Sequence, residues 1–339
     1  MCFMKGYRYL FVSALALLLI GCTKQSDCLQ LTFNGEEVSL NDFAPTSRID
    51  STHLIIPETI EREGKSYAVT KIDENAFKNY DYIVTITLPN SIKEIGEGAF
   101  CGCVSLDSIN IPNGVTHLPK NVFKDCHNLK EIIIPNSVTY IDECAFENCT
   151  SLKLLKIPNN VKGIATGAFR GCSNIIRAEL SDSITIIEKE VFKGCKELRG
   201  VKFPRLLKEI DDYAFCDCDI NKINIPDGAK RIGVSAFEGC DGLDAVYMFN
   251  SVTTIEEAAF RGCRFLKTVK LSDSLVCIES ETFRFCNHFE HVFIPQGVQV
   301  IREDAFANCE YIKSLTISPN TTIEYMAFRD CPNFEIFYH

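Results

Sequence analysis

The amino-acid sequence predicts an α/β repeat solenoid of about twelve rungs of 22 to 23 residues, with parallel strands on one side and short helical turns on the other. Three observations predict it. Phenylalanine recurs at Phe77, Phe100, Phe123, Phe146, Phe169, Phe192, Phe215, Phe237, Phe260, Phe283, Phe306 and Phe328, always 22 or 23 residues apart. A cysteine follows three residues later in every rung but the first, from Cys103 to Cys331, and Tyr80 stands there in the first. After each cysteine comes a short alternating apolar segment that most often ends in proline, as in Leu106-Asp-Ser-Ile109-Asn-Ile111-Pro112. A period of this length, held through the chain, marks stacked supersecondary units.

Each part of the rung follows from its own local period. Ile109 and Ile111 alternate with polar Ser108 and Asn110, the pattern of a half-buried strand, and Pro112 ends it because proline cannot donate to a ladder. Five residues before each phenylalanine stands an aliphatic residue such as Ile95, Leu118 or Ile141. Ala99, Phe100 and Cys103 fall at i, i+1 and i+4, which is the inner stripe of about one helical turn. One rung cannot bury its own apolar edge, so the rungs must stack. At roughly 4.7 to 4.9 Å per strand, twelve of them span on the order of 55 Å.

The resulting unit, L-x-x-I-x-I-P-x-x-V-x-x-I-x-x-x-A-F-x-x-C, resembles the BspA-like leucine-rich repeats from about Leu54 to His339. Ala178 departs from it at a strand aliphatic, and Ser181, Phe249, Ser272 and Ser318 replace proline. The rungs around Asp219 and Thr321 are one residue short. The resemblance implies a right-handed leucine-rich-repeat horseshoe with its strands on the concave face. It also implies a surface protein of a host-associated bacterium, several relatives being adhesins toward matrix proteins or other cells.

The N-terminus implies export. Lys5 and Arg8 precede an apolar run from Leu10 to Ile20, too short to cross a bilayer. Leu19-Ile20-Gly21-Cys22 then resembles the lipobox of bacterial lipoproteins, which implies that Cys22 becomes an acylated N-terminus. The expected organisation is a signal peptide over 1–21, a tether over 22–30, an N-terminal cap with the first hairpin over 31–76, and the solenoid over 77–339. Ile55-Ile56-Pro57 followed by Glu61 to Lys65 reads as the capping hairpin, whereas Phe334 to His339 read as a last strand with no cap. That open edge raises the expectation of a homodimer or of docking into an outer-membrane or periplasmic assembly.

Composition narrows the function. Loss of Lys5 and Arg8 with the signal would leave a formal charge of −12, so nucleic acid is not an expected partner. Eighteen cysteines in an exported chain would ordinarily mean disulfides. Eleven occupy one inward position on successive rungs, however, where parallel Cβ directions favour buried free thiols. Cys101-x-Cys103 and Cys216-x-Cys218 lie five rungs apart, about 24 Å, which is too far to share a metal. No G-x-S-x-G, H-E-x-x-H or Walker segment occurs, so no enzyme, metal or cofactor is expected.

What remains is a lipid-anchored binding module whose strand face meets a protein of a host or bacterial surface, or an anionic glycan. Alternation places two residues per strand outward: Thr85 and Thr87, Ser108 and Asn110, and so on to Ile336 and Tyr338. Five of these 24 positions are basic and two acidic, on an acidic protein. The candidate binding residues are Lys156, Arg177, Lys202, Lys222, Lys270 and His291, with Tyr247 and Phe293 as aromatic anchors about 10 Å apart.

Overall fold

The structure, a computed structural model, describes residues 29–43 and 52–339. Cys22, the signal segment and the tether up to Cys28 lie outside the described residues. Within the expected tether, Leu29 and Gln30 already pair with Phe43 and Asp42, because strand β1 (Leu29–Asn34) forms an antiparallel hairpin with β2 (Glu37–Phe43). After strand β3 (His53–Ile55), a second hairpin joins β4 (Thr59–Arg62) to β5 (Lys65–Ile72), and β2 pairs with β5 in parallel to give one sheet of order β1-β2-β5-β4. Phe43 closes the end of the core, its ring 6.4 Å from that of Phe77. Here Tyr80 shows why the first rung lacks cysteine: its hydroxyl donates to the Phe43 carbonyl at 2.6 Å and to Asp42.

Each rung beyond the cap contributes three segments. The first is the alternating strand, in a parallel ladder that begins with His53–Ile55 and Thr85–Thr87 and reaches Ser314–Ile317 and Glu335–Tyr338. The second is a two-residue strand around the aliphatic five before each phenylalanine, from Glu94–Ile95 to Thr322–Ile323. The third is the segment around phenylalanine, and there the expectation of helical turns fails. None of the described residues is helical, so the solenoid is all-β and not α/β.

Backbone geometry explains the failure. Two residues before and two after each phenylalanine φ is positive, as at Asn75 (57°) and Asn79 (64°) or Gly98 (60°) and Gly102 (74°). A left-handed residue every fourth position stops a right-handed helix from propagating. Asn75, Phe77 and Asn79 instead donate to the carbonyls of Glu97, Ala99 and Cys101 on the next rung, at 2.9, 2.8 and 2.7 Å. The intervening Ala76, Lys78 and Tyr80 donate three residues back within their own rung. The result is a ladder of turns. Glycine, asparagine or aspartate occupies the later positive-φ site of every rung except one, where Phe285 sits at 62°.

The core repeats with the same period. Rings from Phe77 to Phe328 stack with centroids 5.0 to 5.7 Å apart, forming one spine. Every cysteine of the repeat donates its S–H to the carbonyl of the previous rung's phenylalanine, at 3.0 to 3.3 Å. Cysteine is thus both small filler and donor to a buried carbonyl that its own turn leaves half-satisfied. All of the ladder thiols are free. Burial pushes Cys103 and Cys172 up to about 12. The serines that replace proline have their own use: the hydroxyls of Ser181, Ser272 and Ser318 accept from the amides of Ser183, Ser274 and Asn320.

The strand ladder is interrupted three times, between the strands Ser108–Ile109 and Leu154–Lys156, between Gly200–Lys202 and Lys222–Asn224, and between Thr268–Lys270 and His291–Phe293. Before the first, where Thr85–Thr87 and Ser108–Ile109 still pair, the Asn110 side-chain amide exchanges two hydrogen bonds with the Leu88 backbone. At the other two a phenylalanine stands where neighbouring rungs put a smaller aliphatic. Phe203 packs edge-on against Phe215 at 5.6 Å and Phe289 lies 5.5 Å from Phe283.

Candidate binding surface on the strand ladder

Alternation sets what this surface presents. In Leu154–Lys156, Arg177–Glu179 and Gly200–Lys202, the central Leu155 and Ala178 are buried and Val201 is partly covered. Leu154, Arg177 and Gly200 line up in one outward row and Lys156, Glu179 and Lys202 in the next. Beyond the second interruption the rows continue as Lys222, Ala245 and Thr268, and as Asn224, Tyr247 and Lys270. His291 and Phe293 head a separate sheet with Ser314 and Thr316. Thus Lys156, Arg177 and Lys202 share one sheet and Lys222, Tyr247 and Lys270 another, while His291 and Phe293 stand apart.

Three expected outward positions are corrected. Ala245 is buried, its methyl being too short to leave the sheet. In the last rung Ser314 and Thr316 pair with Glu335 and Phe337, so these take the positions expected of Ile336 and Tyr338. Phe334 follows Cys331 by three residues and packs on Phe328, but the strand begins directly after it, one residue sooner than in the rung before.

The aromatic candidates are supported from the side. Lys222 Nζ lies 4.7 Å over the Tyr247 ring, a cation–π contact. Phe293, 57% exposed, meets His339 edge-on at 5.4 Å. His291 Nδ1 is 2.8 Å from Ser314 Oγ.

Charge pairing differs between two positions of the repeat. Three of the four lysines just before an outward pair are tied to the previous rung, Lys130 to Asp107 at 3.0 Å, Lys267 to Asp244 at 2.9 Å, and Lys313 to Glu290 at 2.6 Å, while Lys153 has no carboxylate within ion-pair distance among the described residues. Among the described residues no carboxylate lies within ion-pair distance of Lys156, Lys202, Lys222 or Lys270, and Arg177 has only Glu179 at 3.7 Å.

Periodicity read at one phase missed two features. Ile176, Arg199 and Gly200 join Arg177, Val201 and Lys202 around a shallow depression. Phe265, His288 and Tyr311, each two residues after a cysteine, form an aromatic row with centroids 4.9 and 5.6 Å apart. The same 23-residue period, followed at that phase, would have found the row.

The chain matches the model of the BspA type leucine rich repeat region over residues 52–176, 116–244 and 208–335. It is similar to the crystal structure of a leucine rich cell surface protein from Faecalibacterium prausnitzii A2-165, at 26% identity over 92% of this chain and 93% of that one, with a TM-score of 0.59. A leucine-rich repeat protein from Bacteroides ovatus ATCC 8483 is similar at 25% identity over 88% of this chain and 89% of that one, with a TM-score of 0.62. The T. pallidum leucine rich repeat protein is 25% identical over 57% of this chain and 88% of its own, with a TM-score of 0.52. No curated protein matches. With its repeats matched from residue 52 to residue 335, the chain belongs to the BspA-type leucine-rich repeat family.

Proposed function

We propose that this protein is a non-catalytic, lipid-anchored surface module that binds a protein or glycan ligand through the outward face of its strand ladder. The observation that carries this reading is the set of outward lysines, Lys156, Lys202, Lys222 and Lys270, without carboxylate partners, whereas Lys130, Lys267 and Lys313 at the repeat position before the outward pair are paired rung to rung. Charges that stabilise no fold contact remain available to a ligand. Tyr247 supplies an amphipathic anchor inside that set and Phe293 an apolar one near its far end. The likeness to a leucine rich cell surface protein supports display at the surface, and the Leu19-to-Cys22 segment supports an acyl anchor at Cys22.

Two measurements test the reading. Protease treatment of intact cells should cleave the protein, and an intact mass should show acylated Cys22 as the first residue. Protection from protease, or an unmodified N-terminus elsewhere, would remove surface display or the anchor respectively.

A further inference from the structure

Gly200 opens the strand Gly200–Lys202, at an outward position, with nothing in the fold that requires glycine there. Its φ lies outside the left-handed region, and a Cβ built on it meets no atom within 4 Å. No other described glycine combines these two properties: the rest have positive φ or a neighbour close to the Cβ site, as Gly163 has with Tyr140 at 2.5 Å. Glycine inside a strand weakens it, and it is kept where the backbone must turn, where another backbone packs close, or where a ligand approaches. The first two reasons are absent at Gly200.

The gap is bordered by cations. Arg177 precedes Gly200 in the same outward row, Lys202 follows it on the same strand, and Arg199 stands on its flank, with Ile176 and Val201 completing the depression. Arg177 and Arg199 have carboxylates nearby at 3.7 Å (Glu179), 3.1 Å (Glu197) and 3.5 Å (Asp219), but both guanidinium groups are more than half exposed, so water screens these contacts. An oxyanion placed over Gly200 would meet two guanidinium forks and an ammonium, with no side chain in its way.

We infer that the gap at Gly200 seats a sulfate or carboxylate group of a linear anionic glycan. This rests on the strand-face reading above. Lys156, Lys202, Lys222 and Lys270 repeat the positive charge on four of the six strands from Leu154–Lys156 to Thr268–Lys270, with Glu179 between the first two, and this spaced charge suits a polyanion lying along the solenoid. An acidic peptide gains most by adding to a strand edge, whereas the groups around Gly200 are side chains projecting from the strand face.

The test titrates a heparin-derived oligosaccharide, its desulfated counterpart and polyglutamate into wild type, Gly200→Val, the pair Lys202→Glu/Lys222→Glu, and Lys313→Ala. Valine fills the gap at unchanged charge, and the open Cβ site accepts it, so the melting temperature should not fall. Sulfated oligosaccharide should bind wild type and Lys313→Ala alike, and Gly200→Val roughly tenfold or more weakly, the loss of one well-placed contact. Loss in the lysine pair with unchanged binding by Gly200→Val would overturn the seat while leaving the strand face standing. Unchanged binding in both variants would overturn both readings. No binding of the sulfated oligosaccharide by wild type, or stronger binding of polyglutamate, would overturn the glycan.

Discussion

The turn side of the solenoid and its strand face handle charge in opposite ways. Along the turns, charged groups run in chains from rung to rung. Lys124 pairs with Glu147 at 2.8 Å, and Glu147 with Arg170 at 2.6 Å. A second chain links Glu238, Arg261 and Glu281, then Arg284, Asp304 and Arg329. Burial pushes the Glu147 carboxyl up, yet Lys124 and Arg170 hold it below its ordinary value, so the pairing outweighs the desolvation. The strand-face lysines have no such partners. Turn-side charges tie neighbouring rungs together and strand-face charges do not, so mutation should separate stability from binding along this line.

The largest effect lies under both surfaces. Phe169→Ala removes one ring from a spine in which Phe146 and Phe192 stack at 5.1 and 5.7 Å, and it should cost about 3 to 5 kcal/mol in a denaturant titration. Wild-type stability in that variant would mean that the spine does not hold the rungs together.

Alkaline titration comes next. Folding raises the pKa of the ladder thiols, from 9.0 to about 12 for Cys103 and Cys172, because burial penalises the thiolate. The folded state therefore binds more protons than the unfolded one between these values. Its thiol contribution is complete below about pH 9 and is lost as pH rises toward 12. Native protein at pH 8 should react slowly with thiol reagents, and denaturant should release the buried set. Rapid modification of Cys172 without denaturant would show that the ladder opens.

On the second strand ladder, Arg231 contacts Glu209 at 2.6 Å, Asp211 at 3.1 Å, Asp212 at 2.9 Å and Glu256 at 3.2 Å. Arg231→Met leaves these acids without their shared cation and should cost about 1 to 2 kcal/mol at pH 7, with the loss shrinking under acid. An unchanged melting temperature would put this network on a par with the strand-face lysines.

The smallest stability effects belong to the strand face. Tyr247→Ala and Phe293→Ala should move the melting temperature little while weakening the ligand, and ligand affinity unchanged in both would place the contact surface elsewhere. Gly200→Ala should stabilise by about 0.4 to 1 kcal/mol, since it restricts the unfolded chain and strains nothing in the folded one.

Most of the fold was legible from the residues because stacking is periodic and each period has one physical meaning. The phenylalanine and cysteine registers located the spine and the thiol ladder, and alternation placed Lys156, Arg177, Lys202, Lys222, Lys270, His291, Tyr247 and Phe293 outward, where they lie. The same periods could not distinguish a helical turn from the ladder of turns. Ala99, Phe100 and Cys103 point inward in either, and only φ at Gly98 and Gly102 separates the two. Nor could they show where strands stop pairing, since every rung repeats the same apolar pattern on both sides of each break. Outside the last rung, periodicity determined which side of the rung each strand residue faces, because it depends on backbone geometry alone. Tertiary structure decided which charges are paired and which glycine has open space over it, because both depend on the neighbouring rungs, 22 or 23 residues away in the chain.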